Sequence, residues 1–323
     1  MDNRPNFFVI GVVKGGTTSL HNYLAQHPDV YLPPIKETNH FARKDIQPEH
    51  FLKGYAQDVK IDLDAYINSG MKEPIHIAHV NEDRHYEALF SKVRTEKAIG
   101  EISNSYMICR SAASEIHAFN PRAKILVMMR NPIRRAWSQY LMNLREAKSD
   151  AQDFIKEIQE DHASTLKGWG VNHQYLELGK YSGQLKRYIH LFGKENVLTL
   201  FFEDFKSYPE ASLKQICSFL NIDEDFSFDF SEKSNTSSLP RNAALNKILV
   251  ESGIISTAKR LTPKKLRQKM ASVLYTDKNM PELSEEDSDW LRDYYMDEVR
   301  NLSELLGVDV VSKWPQFKHV YEG

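Results

Sequence analysis

Cysteine is scarce in this chain. Cys109 and Cys217 are the only two in 323 residues, and they lie far apart. So few thiols exclude a disulfide framework, and neither sits in a motif that would lower its pKa, so both read as inert in a reducing compartment. Long hydrophobic runs are missing too. None approaches the roughly 20 residues needed to span a bilayer. Met1 is followed by polar and charged residues rather than by a basic-then-apolar leader. The expectation is a cytoplasmic protein with no transmembrane segment. An excess of one charge is also absent: 42 Lys and Arg against 44 Asp and Glu leave a formal charge of −2. That balance argues against nucleic acid as a partner. Histidines occur at His40, His50, His76, His79 and His85, but never in an H-E-x-x-H spacing. They read as scattered surface residues, and no metal is expected.

What is present alternates. Phe7–Val13, Val30–Leu32, Ala98–Ile102, Lys124–Arg130 and Val197–Phe202 read as strands. Between and beyond them, 18–26, 82–92, 112–120, 133–145, 151–163, 181–192 and 209–220 have helical spacing. Fully apolar strands separated by helices predict a parallel sheet covered on both faces. Residues 43–85 read as polar and irregular, and the C-terminal third as helical, with Trp290, Tyr294, Tyr295 and Leu302 as core of a helix pair. With no internal repeat or low-complexity linker, 1–323 is expected to be a single α/β, P-loop-like domain with helical C-terminal additions.

The most informative stretch is Gly11-Val12-Val13-Lys14-Gly15-Gly16-Thr17-Thr18-Ser19. It joins an apolar strand to a helix start and combines glycines, a lysine and three hydroxyl residues. Such a turn holds an anion on backbone amides at a helix N-terminus. It is a near-miss to G-x4-G-K-[ST]: Gly16 and Thr18 fit a count from Gly11, but Thr17 stands where lysine belongs, and the lysine is Lys14. The anion cradle is present while the usual triphosphate-and-magnesium hardware is altered.

Open parallel sheets bind ligands at the carboxyl ends of their strands. Three further constellations fall there: Lys36-Glu37-Thr38-Asn39-His40-Phe41, Gly100-Glu101-Ile102-Ser103-Asn104-Ser105-Tyr106, and Arg130-Asn131-Pro132 with Ser138 eight residues on. Arg130 and Ser138 are spaced to reach one anion across about two helical turns. Two anion sites on one sheet edge suggest a ligand with phosphates at both ends. Of Arg134 and Arg135, one is expected to be only a solvated face. Glu101 reads either as a structural carboxylate paired with Lys or Arg, or as an alternative base.

The Lys14-Gly-Gly-Thr-Thr-Ser loop, His27-Pro-Asp-Val30, Lys36-Glu37 and Arg130-Asn-Pro with Ser138 together resemble the sulfotransferases that use 3′-phosphoadenosine 5′-phosphosulfate (PAPS), in their bacterial and heparan-sulfate-type branch. The resemblance extends to Glu203-Asp204-Phe205, Asn235 to Asn242 and the Trp290–Trp314 tail. It implies that Lys14, Gly15, Gly16, Thr17, Thr18 and Ser19 hold the 5′-phosphosulfate, and that Arg130 and Ser138 bind the 3′-phosphate. It further implies Phe202 against adenine, Glu37 as catalytic base, and Lys14 as catalytic over the bridging oxygen. Arg241 would close over the 3′-phosphate, although Leu239-Pro240-Arg241-Asn242 departs from the Lys-Gly pair of many relatives. The segment 231–242 reads as a loop that orders on nucleotide binding.

The chemistry agrees with the loop. Sulfuryl transfer expels a phosphate oxygen, and a lysine with backbone amides stabilises that charge. With one phosphate beside the transferred group, a magnesium clamp across two phosphates has nothing to bridge. A small-molecule P-loop kinase, or a catalytically inactive module that binds the product 3′-phosphoadenosine 5′-phosphate (PAP), are the alternative readings. The acceptor, a carbohydrate, lipid, peptide or small natural product, is expected between walls formed by 43–85 and 145–180, with Tyr55, Tyr66, Trp169 and Tyr175 in them and Tyr86 at the edge of the first.

Overall fold

A computed structural model describes residues 3–149, 153–231, 238–252, 254, 264–278 and 280–320. Its centre is a parallel sheet of five strands in the order β2–β5–β1–β6–β7. These strands are β1 (Phe7–Val9), β2 (Val30–Tyr31), β5 (Ala98–Ile102), β6 (Lys124–Met129) and β7 (Val197–Phe201). Phe8 is in register with Glu101 on one side and Ile125 on the other. The expected parallel sheet flanked by helices is therefore present. The apolar runs explain it: alternation sends Phe8, Ile125, Val127 and Met129 into one buried cluster, and Phe7, Val9, Leu126 and Met128 into the other. Burying each such side chain contributes about 1.5–3 kcal/mol.

The helices Thr17–Leu24 and Pro209–Leu220 cover the face of Phe7 and Val9. Ala112–Phe119, Pro132–Arg145, Tyr181–Phe192 and Glu285–Leu306 cover the other. Gly100 is required for this packing, because a Cβ there would meet the Phe7 ring at 2.3 Å. The long C-terminal helix buries Tyr295, Val299 and Leu302, and Trp314 beyond it is buried as well. Trp290 and Tyr294 stack on each other at its half-buried flank.

Two elements differ from expectation. The first strand stops at Val9 rather than Val13, because the chain turns into the loop; Ile10 and Val12 still donate their amides to Leu126 and Met128 carbonyls at 3.0 Å. Residues 43–85 are not wholly irregular. They form short helices at Lys53–Asp58 and Leu63–Asn68, and a strand β4 (Ile75–Ile77) that pairs in parallel with β3 (Ile35–Glu37). Three-residue strands carrying Lys36, Glu37 and His76 have too little apolar alternation to be read from sequence. A second small ribbon pairs β8 (Leu239–Pro240) with β9 (Tyr275–Thr276) in antiparallel fashion.

Candidate active site

β1 is the switch point of the sheet, with β5 on one side and β6 on the other, and the loop that follows it opens at the carboxyl edge. Gly16 caps the helix Thr17–Leu24 at φ 94°, and among the described residues no side chain caps that helix. Its first-turn amides therefore remain available to an anion. Space around the glycines is tight. A Cβ on Gly15 would lie 2.5 Å from the Met128 carbonyl oxygen, and one on Gly16 would lie 2.7 Å from the Phe202 ring. The cradle therefore accepts no side chain at either place. Lys14 itself sits at φ 63°, a conformation few non-glycine residues adopt. Its Nζ lies 3.5 Å from the Met142 sulfur, and burial pulls its pKa below the usual lysine range, against the opposing charge of Glu146.

Arg130 follows β6 directly and touches the loop. Its guanidinium donates a 3.0 Å hydrogen bond to the Lys14 carbonyl and lies 4.7 Å from the Phe202 ring centroid. Burial lowers its pKa, with Glu203 acting in the opposite sense. The Tyr181 hydroxyl donates to the Arg130 carbonyl at 2.8 Å. Asn131 then starts the helix Pro132–Arg145, accepting from the amides of Ile133 and Arg134 at 3.0 and 3.2 Å, with proline in the first turn. Glu203 braces the turn from below: it accepts from the Asn131 amide at 3.0 Å and from the Trp314 indole at 3.1 Å. Arg134 is exposed, as one of the helix arginines was expected to be, whereas Arg135 is buried and donates to Gln139 and the Tyr175 carbonyl.

Lys14, Gly16, Thr17, Thr18, Ser19, Glu37, Arg130, Ser138 and Phe202 all line one cleft of about 1070 Å³. Gly15 lies behind it, against β6. Arg241 is not among the lining residues. It follows β8, where its amide bonds the Leu274 carbonyl and its guanidinium reaches the Ser272 carbonyl at 3.5 Å. Asn235, in the same sequence segment, lies outside the described residues. The cleft's charges are one-sided: among the described residues, Lys14, Lys53, Lys148, Lys206 and Arg130 line it, with Glu37 as the single carboxylate.

Glu37 ends β3 and is buried. Its Oε1 accepts from Asn104 Nδ2 at 2.7 Å and from Lys36 Nζ at 3.0 Å, with His76 Nε2 at 4.0 Å. Among the described residues no hydrogen bond reaches Oε2. One oxygen is thus held while the other is left for the cleft that Glu37 lines. Asn104 and His76 escaped the sequence reading as parts of the site. Asn104 stood inside a noted constellation with no role, and His76 comes beside Glu37 only through the pairing of β3 with β4.

Glu101 lies apart from the cleft, fully buried on β5. Its Oε2 accepts from Thr38 Oγ1 at 2.6 Å. Among the described residues no lysine or arginine pairs with it, so the ion pair expected from sequence is absent. Burial raises its pKa to about 7, with the Thr38, Tyr106 and Tyr86 hydroxyls pulling the other way. His40 and His85 are buried rather than on the surface. The His40 ring stacks on Tyr86 with centroids 4.1 Å apart, and burial takes its pKa down to about 4. Among the described residues, no group of three or more His, Cys, Asp or Glu side chains gathers to hold a metal, and no helix is long and apolar enough to cross a membrane. Both thiols are buried, and burial pushes both upward in pKa.

The far part of the cleft is lined by both segments expected to wall it. Tyr55 and His76 come from one, and Lys148, Trp169 and His173 from the other. Tyr66, Tyr86 and Tyr175 are not lining residues; Tyr86 and Tyr175 are in the core.

The family model described as Sulfotransferase family matches residues 5–226. Rat carbohydrate sulfotransferase 15 is 27% identical over 256 residues, covering 68% of this chain and 44% of the relative. Human heparan sulfate glucosamine 3-O-sulfotransferase 6 is 22% identical over 218 residues, covering 68% of this chain and 52% of the relative. The chain thus spans about half the length of these curated relatives. A solved sulfotransferase from Alicyclobacillus acidocaldarius superimposes with a TM-score of 0.69 at 27% identity, covering 97% of this chain and 99% of that one.

Proposed function

This chain belongs to the sulfotransferase family, and on that premise we propose that it moves the sulfuryl group of PAPS to a hydroxyl or amine of an acceptor, with Glu37 as general base. The observation that carries the proposal is the meeting of three parts in one cleft: the Lys14–Ser19 loop, Arg130 with Ser138, and a Glu37 carboxylate tethered by one oxygen only. Lysines at 14, 53 and 206 with Arg130, against one lining carboxylate among the described residues, suit a polyanionic donor, whereas Lys148 is already paired with Asp58 and Glu146.

The residues fit that donor. The uncapped helix start and the two glycines leave room for a phosphate against backbone amides, and the second cation, Arg130, is braced against the loop. When bound, the donor supplies an activated sulfuryl group on a phosphate leaving group. Lys14 and the amides of Gly16 to Ser19 stabilise the negative charge that develops on the leaving oxygen. Phe202, fixed between Gly16 and Arg130, offers a flat apolar surface to a base. Glu37 Oε2 takes the acceptor proton while Asn104 and Lys36 keep the carboxylate aimed. Two of the relatives are a carbohydrate sulfotransferase and a heparan sulfate glucosamine sulfotransferase, which favours a sugar as the acceptor. Tyr55 and Trp169 on the far walls supply aromatic surface for one.

The test is transfer of label from PAPS to a panel of glycans, lipids, peptides and small phenols, with EDTA present. Product in EDTA supports the reading. Phosphate transfer from ATP that requires magnesium, without sulfuryl transfer, overturns it in favour of a kinase. Tight PAP binding with no transfer to any acceptor favours a binding module.

A further inference from the structure

We infer that Glu101 is a positioning residue: its buried carboxyl anchors Thr38 and so holds the strand end that presents Glu37 to the cleft. The inference rests on the reading of Glu37 as base and adds a residue that touches neither donor nor acceptor.

The directions of the hydrogen bonds build the case. Thr38 Oγ1 donates to Glu101 Oε2 at 2.6 Å, which leaves its lone pairs to accept from Tyr106 at 3.1 Å and from the His40 amide at 3.3 Å. The Tyr106 oxygen in turn accepts from the Phe41 amide at 3.3 Å. Every donor in this chain has one acceptor, and the chain ends on Glu101. Thr38, His40 and Phe41 are thereby tied to β5 and the short helix after it, immediately beyond Glu37. Asn39 adds a parallel tie, its side chain accepting from Ser105 at 2.6 Å and its amide donating to Ser103 at 3.2 Å.

Glu101 is placed for this and for nothing else. It is 0% exposed, it does not line the cleft, and Thr38 stands beside it as the next residue after Glu37. Glu101 Oε1 and the Tyr86 hydroxyl are both buried without a hydrogen bond of good geometry. The groups that face the carboxyl are the hydroxyls of Thr38, Tyr106 and Tyr86, from three separate elements, and none is a cation. An acid without a counter-cation in such a place is most stable protonated. A neutral acid can donate from one oxygen and accept on the other, which is what a residue set between hydroxyls needs. Above about pH 7 the carboxyl ionises and becomes a buried charge with no cation beside it, although it still accepts from the Thr38 hydroxyl.

The decisive experiment compares Glu101→Gln, Glu101→Leu and Thr38→Val with Glu37→Gln under donor saturation, reading kcat and KM for PAPS. Leucine at 101 and valine at 38 are expected to lower kcat at least ~10-fold with KM for PAPS within ~2-fold. Glutamine, isosteric with the neutral acid, restores most of what leucine loses. Loss in Glu101→Gln equal to that in Glu37→Gln would make Glu101 a second base and overturn the inference. So would full activity in both Glu101→Leu and Thr38→Val. Should Glu101→Leu fail to fold, Thr38→Val alone decides, since it keeps the side-chain volume and removes the hydroxyl. An active Glu37→Gln would overturn the base reading itself, a separate result.

Discussion

Arg130 donates a 3.0 Å hydrogen bond to the backbone carbonyl of Lys14. The arginine that follows β6 is therefore also a strut for the loop that follows β1, and the two elements proposed to bind the donor's anionic groups are one mechanical unit. Phe202 completes it, in cation–π contact with Arg130 and close enough to Gly16 to forbid a Cβ there.

Arg130→Ala is expected to weaken PAP binding ~10- to 150-fold, the equivalent of about 1.5–3 kcal/mol for hydrogen bonds to a charged group. Arg130→Lys should recover only part, because an ammonium cannot hold a phosphate and a carbonyl with a planar fork. Titration calorimetry with PAP measures both, and an unchanged affinity in the alanine variant would place the 3′-phosphate elsewhere.

Glu37→Gln is expected to lower kcat ~100- to 10,000-fold while the affinity for PAP stays within ~2-fold. The glutamine side chain can still accept from Asn104, so the local frame survives, although Lys36 loses its ion-pair partner. Labelled-PAPS turnover with PAP titration on the same preparation separates the two effects. Parallel losses in turnover and affinity would remove Glu37 from the base role.

Gly16→Ala carries two penalties at once. Its φ of 94° disfavours any Cβ, and that Cβ would lie 2.7 Å from the Phe202 ring. A stability loss of ~1–3 kcal/mol is expected, with a larger drop in PAP affinity than in stability. Gly70, at φ 84° but with nothing within 4 Å of a Cβ, is the control: its alanine variant should lose only the backbone term of about 1 kcal/mol and none of the affinity. Chemical denaturation and PAP titration of the pair read this out.

The stability of the fold should fall with pH through Glu101. Its folded pKa, about 7, lies above the ordinary carboxylate value of 4.5. A raised folded pKa means that its contribution is fully present below about pH 4.5 and is lost as pH rises through about 7. Glu101→Gln has no such proton to lose. Relative to the parent, it should gain on the order of 3 kcal/mol between pH 5 and pH 8, measured by urea unfolding at both pH values. A constant difference between the two proteins would show that Glu101 does not titrate in that window.

Much of this architecture is legible in the sequence, for physical reasons. β1 and the Ile125–Met129 run of β6 are apolar and buried on both faces, so they stand out without a tertiary context, and the Pro132 and Pro209 helix starts carry their own signals. The loop and Arg130–Ser138 are legible because tight backbone turns and strand-end cations need particular residue types. The surroundings of Glu37 are not. Asn104 reaches it across 67 residues, and His76 through a pair of three-residue strands. Contacts of that kind are made by topology rather than by local pattern. The partners of Glu101 are hidden for the same reason: a carboxylate in sequence suggests a salt bridge, whereas here three hydroxyls from separate elements surround it.

The short pairing of β3 with β4 has a consequence for how this scaffold can be altered. The half of the cleft proposed for the donor is built on the five-stranded sheet, while the far walls come from segments outside it. Exchanging those walls is a natural route to a new acceptor. Yet Ile75–Ile77 is the strand against which Glu37 is registered, so a graft that replaces all of 43–85 removes the rail on which the carboxylate rides. A transplant that spares 75–77 changes what is presented to the carboxylate and leaves its aim alone. The seam for redesign therefore lies N-terminal to Ile75.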